Sequence, residues 1–252
     1  MTHSSYVVLL IKFVKEKGYA TSFLGGDLFC KPWLFFKDIE DKQRGDKLEL
    51  AASKLTTEVY ISAINKSYNF WLEDGDDRFT PVFCMYQVSK SNRPSSIMLQ
   101  LKDEKLREFG NYGVVITNTG EFVSRLNRNL PGFSYGLIDY IDYDNLQEDN
   151  NPLRNPILKK DRKTFGHQRE FRIYNSRYAI TDQINFDVPT KEIIQPNGFG
   201  ASLFSMGSLG DIAEVHTIDE LFHGLEVSVQ NPISKKGMPK ILWWDGNKFQ
   251  EI

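Results

Sequence analysis

The densest chemical signal in the chain is His167-Gln168-Arg169-Glu170-Phe171-Arg172-Ile173, where a basic stretch runs into an alternating apolar pattern. Successive side chains of a strand point to opposite faces. Gln168, Glu170 and Arg172 therefore share one face, and Arg169, Phe171 and Ile173 the other. A carboxylate at a strand mouth, two residues after an amide, can contact a ribose hydroxyl and stabilise positive charge at an oxocarbenium-like carbon. Gln168 can then orient the acceptor. The same spacing equally suits an ordinary surface ion pair between Glu170 and Arg172, which contributes little.

A second candidate is Arg44-Gly45-Asp46 with Glu49, following the aromatic group Trp33, Phe35 and Phe36. Gly45 permits a tight turn, and the guanidinium of Arg44 offers a bidentate fork to a phosphate or carboxylate. It can also pair with Asp46 or Glu40 and simply hold the loop.

Other chemistries find no pattern. His216 and His223 stand seven apart with no companion ligand set, and the acid-rich turn LEDGDDRFTP lacks a central Gly and terminal Glu at the offsets a calcium loop requires. Metal is therefore not expected. No Gly-rich loop leads into Lys and Ser/Thr, and there is no Gly-x-Ser-x-Gly elbow. A metal-dependent nuclease using Asp46, Glu49 and Glu170 lacks the carboxylate-x-Lys signature after a suitable strand.

The elements that must position these residues are short. YVVLLIKFV, rich in β-branched residues, predicts a buried first strand. YATSFL predicts a short helix stopped by Gly25-Gly26, and DLFC an extended segment that Pro32 interrupts. VFCMYQVS reads as a central strand, KDEKLREF as a short helix ending at Gly110, and YGVVIT as a strand. GEFVSRLNRNL is a helix with Phe122, Val123 and Leu126 on one face and Arg125 and Arg128 outward. GLIDYIDYD, REFRIYN, Tyr178-Ala179-Ile180 and NFDVP predict further strands. The glycine-rich stretch from Pro196 to Gly210 suggests a flexible flap, and LGDIAEVHTIDELFHG a strand then a helix. ILWWDGNKFQEI reads as a hairpin turning at Asp245-Gly246. The sum is one α+β domain over 1–252 with a mixed, mostly antiparallel sheet and short helices, the hairpin at about 239–252 being an appendage.

Composition agrees with that scale. The chain has 252 residues, 40% hydrophobic and 25% charged, enough apolar mass for one sizeable core. Lys plus Arg number 31 against 33 Asp plus Glu, so no global cationic field marks a general nucleic-acid binder. Local charge is uneven: Arg154, Lys159, Lys160, Arg162, Lys163 and Arg169 form a basic stretch at 154–169, suited to the phosphates of a nucleotide or polynucleotide. Cys30 and Cys84 make no disulfide framework, which points to a reducing compartment. The apolar run from Tyr6 to Val14 contains Lys12 and is too short to span a bilayer. A cytoplasmic protein without a membrane partner is expected.

Several segments in order, FLGGDLF, RGDKLE, VFCMY, FGNYGVVI, LIDYIDY, HQREFRI and LGDIAEV, resemble a family of uncharacterised bacterial and prophage proteins related in pattern to domain of unknown function 2971. The resemblance covers roughly residues 6 to 216, and it implies a setting of conflict between bacteria and phage. More distantly, Gln168-Arg169-Glu170 resembles the Gln/Glu-x-Glu motif of ADP-ribosyltransferases. That likeness implies an ADP-ribosyltransferase-like fold binding NAD in a cleft, with Glu170 as catalytic carboxylate and Gln168 orienting the acceptor. Lys12 would stand in for the first-strand Arg or His of that superfamily, and Tyr86 and Ser89 for its missing Ser-Thr-Ser segment. Arg44 and Arg172 complete the expected cofactor contacts.

Two functions follow as expectations. The first is transfer of ADP-ribose from NAD to a macromolecule, with nucleic acid the favoured acceptor through the 154–169 loop. The alternative is a non-enzymatic phage or prophage factor that binds a host defence protein or a nucleotide signal.

Overall fold

A computed structural model describes residues 5–38, 51–54, 59–61, 66–68, 71–73, 76–142, 156–175, 191–194, 200–237, 242–244 and 249–251. Strand β1 (Tyr6–Val14) is the apolar run at the start of the chain, and its residues Val7 to Ile11 are fully buried. A strand with branched apolar side chains on both faces is stable only with a layer on each side, so β1 lies inside the sheet.

The principal sheet has ten strands. Besides β1 these are β2 (Asp27–Pro32), β3 (Pro81–Lys90), β4 (Tyr112–Ile116), β5 (Ser134–Leu137), β6 (Glu170–Tyr174), β7 (Lys191–Ile194), β8 (Gly200–Ser205), β9 (Ala213–Thr217) and β10 (Ile233–Ser234). The main path runs β7-β8-β2-β3-β1-β4-β9, with β6 on β3, β5 on β6 and β10 on β1, and every one of these pairings is antiparallel. Helices are few and short: α1 (Lys17–Leu24), α2 (Trp33–Asp38), α3 (Thr119–Asn129), α4 (Arg162–Phe165) and α5 (Ile218–His223). The result is a single α+β domain. Among the described residues no helix is long and apolar enough to cross a membrane.

Two apolar layers flank the sheet. One holds Leu10, Phe83, Met85, Phe171 and Ile173 against Phe23 of α1 and Phe122 and Leu126 of α3. The other holds Leu9, Ile11 and Val115 against Leu106 and Leu221 of α5, with Tyr86 and Phe13 packed on it. The α3 face is the one its spacing predicts, and Asn118 caps it by accepting a hydrogen bond from Glu121 N.

The structure revises several expected elements. KDEKLREF forms a 3-10 helix, Glu104–Phe109, and the GLIDYIDYD segment divides into β5 and Asp139–Ile141. The glycine-rich stretch is not a flap over its second half. Residues 200–205 are β8, held between β7 and β2 with Ala201, Ser202 and Phe204 fully buried. Its small residues serve close packing, and Gly207 crosses the backbone of Gly26 directly. The hairpin is formed, Leu242–Trp244 pairing antiparallel with Phe249–Glu251. Tyr178-Ala179-Ile180, NFDVP and the turn Asp245-Gly246 lie outside the described residues.

Candidate functional site

The site is organised by a break in the sheet beside β3. β1 pairs with β3 along Tyr86–Lys90, and β2 meets the same edge only at Pro81 and Val82. Among the described residues Phe83, Cys84 and Met85 have no strand partner on that edge. A buried carbonyl needs a donor, and Lys12 supplies it: Nζ donates to the Cys84 carbonyl at 2.8 Å and lies 4.0 Å from the centre of the Phe83 ring. Burial lowers the Lys12 pKa, against smaller opposing contributions from Cys84, Cys30 and Glu170.

The divergence of β1 from β2 opens a cleft of about 560 Å3. Lys12 and Lys15 bring amino groups to it, Phe13, Phe29 and Phe109 aromatic surface, and Asp27 a carboxylate that accepts a hydrogen bond from Ser22 Oγ at 2.8 Å. Among the described residues Lys12 has no carboxylate within ion-pair distance. A smaller cavity of about 70 Å3 lies next to it, lined by Cys84, Tyr86, Gln168 and Glu170. Phe13 and Phe109 border both spaces, with ring centres 6.3 Å apart.

Glu170 opens β6 opposite Tyr86, and Arg172 sits opposite Cys84. The carboxylate is buried with its charge matched: Oε1 receives Arg172 Nε at 2.7 Å and Oε2 receives Lys160 Nζ at 2.9 Å. Burial alone raises a carboxyl pKa. Here the charges of Arg172 and Lys160, with hydrogen bonds from Arg172 and the Cys84 thiol, outweigh burial and hold Glu170 well below its ordinary value. Burial pushes the Cys84 thiol up to about 12, so it is a hydrogen-bond donor and not a nucleophile. Arg172 is fully buried and its Nη1 also donates to the Ile157 carbonyl at 2.6 Å.

Gln168 reaches this group by a route that strand alternation does not predict. It belongs to a 3-10 turn, Gly166–Gln168, ended by Arg169 in the left-handed region at φ 41°. The strand begins only at Glu170, yet Gln168 Oε1 accepts from Lys160 Nζ at 3.0 Å. Lys160 comes from the short strand Lys159–Asp161, paired in parallel with Asp139–Ile141 so that Lys160 stands opposite Tyr140. The Tyr140 hydroxyl accepts from Glu170 N at 2.9 Å.

Of the sequence-predicted residues, Gln168, Glu170, Tyr86 and Arg172 therefore gather on one side of β3. Lys12 approaches the same Cys84 from the other face of the sheet, as the alternation of Leu10, Ile11, Lys12 and Phe13 between the two apolar layers requires. Ser89 does not join them: it pairs with Val7, its hydroxyl bonds to Gln87, and it lines neither cavity. Arg44 and its loop lie outside the described residues. Glu170 and Arg172 do form an ion pair, but in the interior and not at the surface.

The basic stretch at 154–169 is not one exposed patch. Lys159 and Lys160 are buried, Arg162 Nε donates to the Tyr140 carbonyl, and Lys163 pairs with Asp142. Arg169 is exposed, and Arg154 lies outside the described residues. Tyr140 and Cys84 are the members that sequence reading missed, since neither stands in a motif with Glu170, and Lys160, expected in a phosphate-binding basic stretch, is instead buried against Gln168 and Glu170. Among the described residues no group of His, Cys, Asp and Glu is placed to hold a metal ion.

The fold and site thus define an antiparallel α+β domain with a split sheet, an aromatic cleft and a buried carboxylate-cation cluster. No family model matches the chain, and neither curated proteins nor solved structures give a significant match.

Proposed function

We propose that the protein is an ADP-ribosyltransferase-like enzyme that takes NAD in the cleft between β1 and β2 and transfers ADP-ribose to a macromolecule. The observation that carries this reading is the adjacency of the two spaces: the large cleft holds the Lys12 amino group, which has no carboxylate partner among the described residues, and the small cavity beyond Phe13 and Phe109 holds Gln168 and Glu170. A volume of about 560 Å3 falls in the range of ~300–1,000 Å3 usual for small-molecule sites. Lys12 and Lys15 suit the phosphates, the aromatic rings suit the bases, and Glu170 accepts a hydrogen bond from the nicotinamide ribose. The C1′–N bond then breaks with its electron pair leaving on nicotinamide. The acceptor's nucleophile forms the new bond to C1′ as its proton passes to solvent. Exposed Arg169, next to both Gln168 and Glu170, favours a phosphate-bearing acceptor such as nucleic acid.

A second reading, a nucleotide-binding factor without turnover, is favoured by the two cations already spent on Glu170. Nicotinamide release and NAD binding, measured on the same preparations, separate the two. Glu170→Gln is expected to lose about 100-fold or more of the release rate while NAD still binds. Lys12→Met is expected to weaken binding itself. Saturable binding that depends on Lys12, with no release from the wild-type protein, would establish the second reading. Absence of NAD binding would overturn the ADP-ribosyltransferase reading.

A further inference from the structure

We propose that Lys160 is the positioning residue of this site, the group that sets Gln168 and Glu170 in one arrangement. The kinetic part of the proposal rests on the reading of Gln168 and Glu170 given above. Lys160 is 2% exposed, and its ammonium donates to Gln168 Oε1 at 3.0 Å and to Glu170 Oε2 at 2.9 Å. The left-handed turn at Arg169 removes Gln168 from the strand, so the pleat of β6 cannot align it with Glu170. A single cation bonded to both side chains restores that alignment.

The placement of Lys160 is itself built. Lys160 and Tyr140 are register partners in the parallel pair of Lys159–Asp161 with Asp139–Ile141, and both reach Glu170, one at the carboxylate and one at the backbone N–H. Asp161 follows directly and caps α4 by accepting from Thr164 N, while Phe165 of α4 places its ring centre 5.2 Å from Lys160 Nζ. Burying an ammonium is costly unless it is paired and hydrogen-bonded, and here both conditions are met by the two residues it aligns.

The groups facing the Glu170 carboxylate are Arg172, Lys160 and the Cys84 thiol, with Tyr140 at its backbone and Lys12 beyond the sheet. Arg172 is anchored a second time at the Ile157 carbonyl and stays in place when Lys160 changes. Loss of Lys160 therefore leaves Glu170 with one of its two cations and removes the bond that ties Gln168 to the same ammonium.

The test uses the full chain and the variants Lys160→Met, Lys160→Gln and Lys160→Arg, the Gln variant serving if the Met variant does not fold. Carbon-detected NMR of glutamate-labelled protein, with Glu170→Gln assigning the signal, reads the carboxyl titration without any NAD. The midpoint is expected to rise by about one pH unit or more in the neutral variants and to return toward wild type in Lys160→Arg. An unmoved midpoint overturns the proposal. In nicotinamide release the neutral variants are expected to lose about tenfold or more in kcat with KM for NAD changed less than about threefold, and Lys160→Arg to recover part of the loss. An active wild type with undiminished kcat in Lys160→Gln also overturns it. If the wild type releases no nicotinamide while the titration shifts as expected, the ADP-ribosyl transfer reading fails and the hold of Lys160 on Glu170 stands.

Discussion

Lys31 shows how a single side chain in this fold carries an uncompensated charge. It is 8% exposed, its Nζ has no hydrogen-bond partner among the described residues, and it lies 4.6 Å from the centre of the Phe35 ring and 5.4 Å from that of Phe29. Aromatic faces offset part of the desolvation of an ammonium but do not replace its hydrogen bonds. Burial accordingly lowers its pKa to about 8 from 10.5. Between those values the unfolded chain binds more protons, so wild-type stability gains a component as pH rises through that interval. In Lys31→Met that component should disappear and the urea midpoint at pH 7 should rise. A lower midpoint at pH 7 would show that the ammonium has a stabilising partner. Glu170 is the opposite case, a buried charge with two cations and a thiol in contact. Sequence spacing found Glu170, Gln168 and Arg172, because a short motif exposes residue types. It placed Lys160 in a basic run suited to phosphates and not against Glu170, because only burial separates Lys159 and Lys160 from their exposed neighbours.

The elements are joined by a few close approaches that tolerate no side chain. Gly26 has φ 98°, and a Cβ there would stand 2.0 Å from the Gly207 carbonyl oxygen, where Met206 N also donates to the Gly26 carbonyl. That crossing fixes the start of β2 against the end of β8, and hence the wall of the cleft that carries Asp27 and Phe29. Gly26→Ala should cost about 3 kcal/mol or more from strain and backbone clash together, measured by urea denaturation. A loss below about 1 kcal/mol would mean that the crossing relaxes freely. Elements with a strong local signal were legible in sequence: β1 from its apolar run, α3 from its 3.6-residue spacing, and β9 followed by α5, which Thr217 and Glu220 cap reciprocally. The 200–205 segment was not. Its glycine and serine content signals flexibility locally, whereas pairing with two strands makes it interior.

At the scale of the molecule, the cleft exists because β1 and β2 occupy different lengths of one edge of β3. A ligand bound only by the folded chain raises its stability by about 2.7 kcal/mol at a hundredfold excess over Kd. On the proposed reading, saturating NAD should therefore raise Tm and Lys12→Met should remove most of that rise; an equal rise in Lys12→Met would place NAD elsewhere. The sequence by itself determined the class of the fold, the buried first strand, the near-neutral charge and the identity of the Gln168-Arg169-Glu170 segment, since each depends on composition or on short periodic patterns. Only the tertiary structure decided that Glu170 is enclosed by Lys160, Arg172 and Cys84, that Lys12 bonds the Cys84 carbonyl at a break in the sheet, and that Ser89 stands apart. Those outcomes depend on register between strands far apart in the chain. A shift of one residue in that register would turn each of these side chains to the opposite face.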